Sequence, residues 1–207
     1  MIIDKAETTK SKIEAIEGPE EVACFERVSP SIWKQAMDNR KVSAKNKRMY
    51  FESMYWDTFD ETNNIAMPLP KRATAGSAGY DFVSPVSFDL APGETIQIPT
   101  GVRVAIDPNY VLLLWPRSST GIKHKTTLDN TTGVIDSDYY CADNEGHIMV
   151  TLTNHAKKSI FPWKNKKNTW HVEEGDRIVQ GVFVPYGITT DDVCEKVRTG
   201  GFGSTGN

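Results

Sequence analysis

The residues best suited to chemistry on a charged ligand fall in five short stretches, all of them after residue 66. The plainest is Arg198-Thr199-Gly200-Gly201-Phe202-Gly203-Ser204-Thr205-Gly206. Glycines let backbone N–H groups approach an anion closely. The Arg198 guanidinium is a fixed fork for phosphate oxygens. Phe202, set between glycines, can lie flat on a flat ligand. The same stretch also reads as a fraying end. Pro116-Arg117-Ser118-Ser119-Thr120-Gly121 joins one cation to three hydroxyls after an apolar run, which suits an oxyanion and equally suits a polar turn. In Gly133-Val134-Ile135-Asp136-Ser137-Asp138-Tyr139-Tyr140, two carboxylates stand two apart. On a strand they share a face. Asp136, directly after Val134-Ile135, is expected to be partly shielded from water, as a general base toward water would be. Ala78-Gly79-Tyr80-Asp81-Phe82 and Gly175-Asp176-Arg177-Ile178-Val179-Gln180 hold further candidates. Both also read as plain turn-and-strand sequence.

Such residues need a scaffold, and the one encoded after residue 66 is β-rich. Residues 1–65 contain one glycine and two prolines, and the remainder of the 207 holds the other fourteen glycines and nine prolines. That density of turn-makers punctuates short strands. Apolar residues alternate in Thr95–Pro99, Val102–Ile106, Tyr110–Trp115, His147–Thr153 and Asp176–Val184. Turn signals lie between them at 91–94, 107–109, 144–146 and 173–176. Many short strands, no βαβ rhythm and no internal repeat indicate an all-β sandwich, jelly roll or barrel. Residues 1–65 read as a partly helical extension. Ser29-Pro30-Ser31 starts a helix, and Ile32, Trp33, Ala36 and Met37 form its apolar stripe. A basic stretch (40–48) and an aromatic cluster (Tyr50, Phe51, Tyr55, Trp56, Phe59) follow. Packing of this arm on the β core or on a neighbouring subunit is favoured over single-strand nucleic-acid binding.

Charge and cysteine usage narrow the classes further. Twenty-four basic against 27 acidic residues give a net charge of −3. No basic excess supports stable nucleic-acid binding. No apolar run approaches the ~20 residues of a membrane span, and the start lacks a secretory layout. Cys24, Cys141 and Cys194 are odd in number and widely spaced, which indicates free thiols and a cytoplasmic setting.

Taken in order, AGYDF, PRSS, GVIDSDY, GDRIVQ and RTGGFGSTG resemble the five motifs of the homotrimeric dUTPase (dUTP diphosphatase) family, over about residues 67–207. The resemblance implies a jelly-roll-like distorted β-barrel over 66–197 and a Gly-rich arm, 198–207, closing over a neighbouring subunit's site. It implies hydrolysis of dUTP to dUMP and pyrophosphate with Mg²⁺, which keeps uracil out of DNA and supplies dUMP for thymidylate synthesis. By position, Asp136 matches the carboxylate that activates water, and Tyr139 the ring under the deoxyribose. The backbone from Tyr139 to His147, together with Asn130 and the segment opened by Gly133, matches the uracil-reading wall. Arg117, Ser118, Ser119 and Gln180 match phosphate contacts. Asp81 matches the acid that holds a water of the Mg²⁺ shell, the metal itself resting mainly on the triphosphate. Arg198, Gly203, Ser204 and Thr205 match the γ-phosphate closure, and Phe202 the ring stacked on uracil. The sequence departs from the family pattern where Tyr140-Cys141 replaces the usual Arg-Gly and where the tip 142–145 is longer. It departs again in the long stretch His155–Glu174, expected to protrude as a loop, and in Arg198 standing four residues before Phe202. The extension 1–65 has no counterpart in the minimal subunit and is similar to arms of Gram-positive bacterial and phage members. The alternatives are a dCTP deaminase-like enzyme and a nucleotide-gated regulator that docks a protein partner through the extension or the 155–174 loop.

Overall fold

A computed structural model describes residues 19–38, 68–194 and 198. The first element is strand β1 (Ala23–Arg27), followed by helix α1 (Pro30–Asp38). Ser29 caps that helix, its hydroxyl accepting the Ile32 N–H at 3.4 Å. The expected stripe faces inward, with Trp33 and Met37 buried. The basic stretch and aromatic cluster of residues 40–59 lie outside the described residues.

The strands that follow are β2 (Lys71–Arg72), β3 (Tyr80–Val83), β4 (Phe88–Leu90), β5 (Thr95–Pro99), β6 (Val102–Ile106) and β7 (Tyr110–Pro116). Helix α2 (Ser118–His124) then leads to β8 (Thr126–Leu128) and β9 (Gly133–Ile135), and a 3-10 turn of helix spans Ser137–Cys141. Strand β10 (Met149–Asn154), helix α3 (Pro162–Asn168), β11 (Trp170–Val172) and β12 (Arg177–Pro185) complete the order. Alternation does what it should. In β5, Ile96 and Ile98 are buried while Thr95 and Gln97 face water, and β6 buries Val102, Val104 and Ile106.

All pairings are antiparallel. They make a five-stranded sheet β2-β3-β12-β7-β9, a three-stranded sheet β5-β10-β8, and the pairs β1-β6 and β4-β11. The fold is therefore mostly β and jelly-roll-like, as expected, but among the described residues its strands lie in four sheets and close no single barrel. One core joins them, and Val28, Trp33 and Met37 of the N-terminal segment belong to it. Where β12 pairs with β7, a Cβ on Gly181 would stand 2.8 Å from Leu112 Cδ1, so any larger residue would force the Leu112 and Leu114 side chains to shift.

The stretch 155–174 differs from the loop expected of it. It contains α3 and β11, and Trp170 is buried rather than protruding. The reason is pairing: β11 lies on β4 with Trp170 opposite Leu90. The indole also stacks on His124 at 5.3 Å and meets Phe88 edge-on at 6.0 Å. Ile160 and Trp163 do protrude. Among the described residues, no helix is long and apolar enough to cross a membrane. All three cysteines are free and exposed.

Candidate active site

The first cluster forms where β3, β12 and β7 lie side by side. Register places Asp81 opposite Gln180, and Gln180 opposite Trp115, in one row across the sheet. Two residues beyond Trp115, Arg117 ends the extended run and immediately precedes α2, and its Nε meets Asp81 Oδ1 at 2.7 Å. Arg177, at the start of β12, reaches Asp81 Oδ2 at 3.3 Å. The Asp81 carboxylate, 11% exposed, is thus held between two guanidiniums, and the cluster retains a surplus positive charge for an anion. Ser118 and Ser119 open α2, while buried Thr120 pins it by donating to the Ile178 carbonyl at 3.3 Å. Gln180 is half-buried against Gly79, where a Cβ would stand 3.0 Å from its Oε1. Sequence reading singled out Asp81, Arg117, Ser118, Ser119 and Gln180, and it missed Arg177. The signal for Arg177 was its place directly after the Gly175-Asp176 turn at a strand start.

The second cluster surrounds a cavity of about 290 Å³ lined by Asn130, Gly133, Tyr139 and Asn144, with Leu114 and Leu128 among its apolar walls. Gly133 keeps one wall thin, since a Cβ there would press to 3.1 Å on Leu114. Buried Tyr139 donates its hydroxyl to the His147 carbonyl at 2.8 Å, and Asn144 Nδ2 donates to the same hydroxyl at 2.8 Å. Burial raises the phenol's pKa above its usual value, so it stays a neutral donor. The His147 ring is turned away from this cavity. It is buried, and its Nε2 accepts the Gly101 N–H at 2.8 Å. Burial lowers its pKa to about 4 against an opposing pull from Glu145, so the ring is neutral near pH 7. His147 therefore serves the cavity through its carbonyl. Asn144 is a wall residue whose side chain sequence reading did not single out, having placed only its backbone in the Tyr139–His147 wall.

Asp136 differs from expectation in its surroundings. Strand β9 ends at Ile135, and Asp136 is the extended residue that leads into the 3-10 helix. Asp136 and Asp138 are therefore off the strand and well exposed, at 51% and 56%, rather than shielded. They still converge, because Arg198 Nη1 lies 2.8 Å from Asp136 Oδ2 and 3.1 Å from Asp138 Oδ1. The same guanidinium stands 5.0 Å from the Tyr139 ring centre. Phe202, Gly203, Ser204 and Thr205 lie outside the described residues.

Within one chain the two clusters stay apart. Ile135 pairs with Leu112, so Asp136 stands level with Val111, six residues from Arg117 along β7. At ~3.3 Å per residue that is roughly 20 Å along the strand. Asp136 and Arg117 of one chain are too far apart to touch the same phosphate group.

Residues 66–206 match the family model for dUTPase. The chain is 40% identical over 146 residues to deoxyuridine 5'-triphosphate nucleotidohydrolase of Lactococcus lactis subsp. lactis, covering 69% of this chain and 91% of that one. It is 42% identical over 147 residues to the protein of the same name from Mannheimia succiniciproducens, covering 67% and 87%. Among solved structures it is similar to a mutant dUTPase of phage phi11 of S. aureus, described with a structural Mg(II) ion. The TM-score is 0.51 at 28% identity, covering 64% of this chain and 93% of that one. It is likewise similar to a mutant dUTPase of Staphylococcus bacteriophage 80alpha with dUpNHpp, with a TM-score of 0.51 at 27% identity, covering 64% and 92%.

Proposed function

The chain belongs to the dUTPase family, and from that premise we propose that it hydrolyses dUTP to dUMP and pyrophosphate. The observation that carries this reading is the grouping of Asp136, Tyr139 and Arg198 at one edge of a cavity lined by Asn130, Gly133 and Asn144. The cavity takes the uracil, with the Tyr139 ring beneath the deoxyribose. Asp136 accepts a proton from water as its oxygen bonds to the α-phosphorus. The bond from that phosphorus to the bridging oxygen breaks, pyrophosphate leaves, and Asp136 returns the proton to solvent. Arg117, Ser118, Ser119 and Gln180, with Arg177 beside them, hold the departing phosphates and offset their charge. Arg198 leaves Asp136 and Asp138 of its own chain and takes the γ-phosphate in a neighbour's site when Phe202, Gly203, Ser204 and Thr205 close over the base there.

Mg²⁺ fits this residue set as a guest of the substrate. Among the described residues no group of three or more acidic, His or Cys side chains could cage an ion. Asp81, already shared by two guanidiniums, suits a bond from a metal-bound water better than direct ligation. When bound on the triphosphate, the metal offsets its charge. The ~20 Å between the two clusters of one chain supports a homotrimer in which one subunit's Asp136 and Tyr139 meet another's Asp81, Arg117 and Gln180. Residues 198–207 then close over a neighbour's site. In the cytoplasm this activity removes dUTP before it enters DNA and supplies dUMP for thymidylate synthesis.

The test is a mixture of purified protein, Mg²⁺ and one nucleotide: dUTP, dCTP or dTTP. Pyrophosphate from dUTP alone is expected, and Asp136→Asn lowers its release by ~10³-fold while leaving dUTP binding within a few fold. A uracil nucleotide formed from dCTP would show a deaminase instead. Tight nucleotide binding without turnover would show a nucleotide-gated regulator. Near-normal rates in the Asp136 variant would remove that residue as the base.

A further inference from the structure

The turn that carries Tyr139 is held from outside by residues of the N-terminal segment, at three points. The amide of Ser29, just before α1, donates to Glu145 Oε2 at 2.8 Å. Although burial pulls the other way, this amide helps to hold the Glu145 carboxyl below its usual range. The Trp33 ring, 1% exposed, lies 6.1 Å from the buried His147 ring, whose carbonyl receives the Tyr139 hydroxyl. The Tyr140 hydroxyl donates to Glu26 of β1 at 2.8 Å. Arg103 on the paired strand β6 grips the same carboxylate at 2.9 Å and lies 3.9 Å from the Tyr140 ring centre. The turn needs such support because Glu145, a non-glycine residue, is held at φ 57° in the left-handed region.

We propose that Glu26, Trp33 and Glu145 are positioning residues for the base pocket, which set its fit by clamping the Tyr139–His147 turn to the N-terminal segment. None of them lines the cavity. They act on the ligand through the Tyr139 ring and the turn backbone, and the inference rests on the cavity's being the uracil site proposed above. Loss of a clamp loosens the wall, so selection by shape weakens before the chemistry at Asp136 does.

The closing experiment compares Glu145→Ala, Glu145→Gln and Tyr140→Phe with the unaltered chain. Glu145→Ala leaves the Ser29 N–H without its carboxylate. KM for dUTP is expected to rise about tenfold, the low end for one hydrogen bond to a charged group, with kcat within about twofold. The preference in kcat/KM for dUTP over dTTP falls about as much as KM rises. Gln keeps an acceptor at the same reach and restores both values. Tyr140→Phe, which leaves the Glu26–Arg103 pair in place, moves KM in the same direction by less. Amide exchange is read alongside: Glu145→Ala speeds it in 139–147, and Gln does not. If the unaltered chain hydrolyses dUTP while Glu145→Ala keeps its KM and preference, the clamp is refuted and the activity stands. If the unaltered chain does not hydrolyse dUTP, the functional reading fails and exchange decides the clamp alone. Local acceleration then upholds it, and none, or acceleration spread evenly over the sheets, overturns it.

Discussion

Replacing Gly146 by alanine probes the fit of the base pocket from outside it, by pressing on the backbone of Tyr139 while leaving every side chain that lines the cavity in place. Gly146 has φ 70°, where an L side chain costs roughly 1–2 kcal/mol. It is also hemmed in, because a Cβ would stand 2.7 Å from the Tyr139 carbonyl oxygen and 2.8 Å from Tyr140 Cα. Ordinary contact begins near 3.4 Å, so the backbone of Tyr139 must give by 3.4 − 2.7 = 0.7 Å. Overpacking of this kind costs a further ~1–3 kcal/mol, for a total of about 2–5 kcal/mol. Gly93 supplies the control, since it has φ 79° but nothing within 4 Å of the same imagined Cβ. Gly93→Ala is expected to lose only the ~1–2 kcal/mol of backbone strain and to keep its KM for dUTP. Urea unfolding of both variants isolates the packing contribution as their difference, about 1–3 kcal/mol, with unchanged slopes confirming comparable native states. Steady-state hydrolysis should show a raised KM for Gly146→Ala alone, because the displaced backbone carries the Tyr139 ring with it. Equal stability losses at the two glycines, or an unaltered KM in the Gly146 variant, would refute the steric account of this turn.

Two histidines should give opposite pH dependence. His147 is buried neutral with its pKa lowered to about 4 from 6.5, so between those values the unfolded chain binds the proton and the folded chain does not. Stability therefore falls by ~3 kcal/mol as pH drops from about 6.5 to 4, and His147→Gln should flatten that slope in unfolding titrations. His171 behaves the other way. Bonded to Asp89 at 2.5 Å and Glu173 at 2.6 Å, its pKa is raised, and its contribution, fully present below 6.5, is lost as pH climbs through the folded value. The Glu173 carboxyl is lowered mainly by the same imidazole, so its share disappears as pH falls below 4.5 through its folded value. Stability lost in His171→Gln should thus be largest between pH 4.5 and 6.5 and smaller at pH 9, and a pH-independent loss would contradict the ion-pair account.

Much of the scaffold was legible because it depends on short-range rules. Period-two alternation located β5 and β6 to the residue, and the Ser29-Pro30 start with the Trp33/Met37 stripe located α1. The short strand Gly133–Ile135 was legible, though it ends before Asp136 rather than carrying it. Trp170–Val172 escaped, because three residues are too few to show a period and it is a strand only because β4 supplies its partner. Helix α2 escaped for a related reason. Ser118-Ser119-Thr120-Gly121 has weak intrinsic helix preference, and its place is held by tertiary contacts such as the Thr120 bond to Ile178.

The chemistry-bearing residues were legible by type, and what sequence could not give was their division into two clusters. Asp81 and Gln180 are 99 positions apart, yet register sets them directly opposite. Asp136 is only 19 positions from Arg117, yet β7 and β9 run antiparallel and carry it roughly 20 Å away along the strand. Sequence order thus inverts proximity. In the proposed function Asp136 and Tyr139 form one edge of the base pocket, and the guanidiniums around Asp81 form an anion site that lies too far along the sheet for the same chain to bring to it. In the proposed homotrimer a second copy presents its Arg117 to the first copy's Asp136. On that proposal the ~20 Å gap within one chain is the physical reason that assembly and activity should appear together. In a dilution series, turnover per chain should fall along the same curve as the trimer fraction, and full activity in a monomer would break the link.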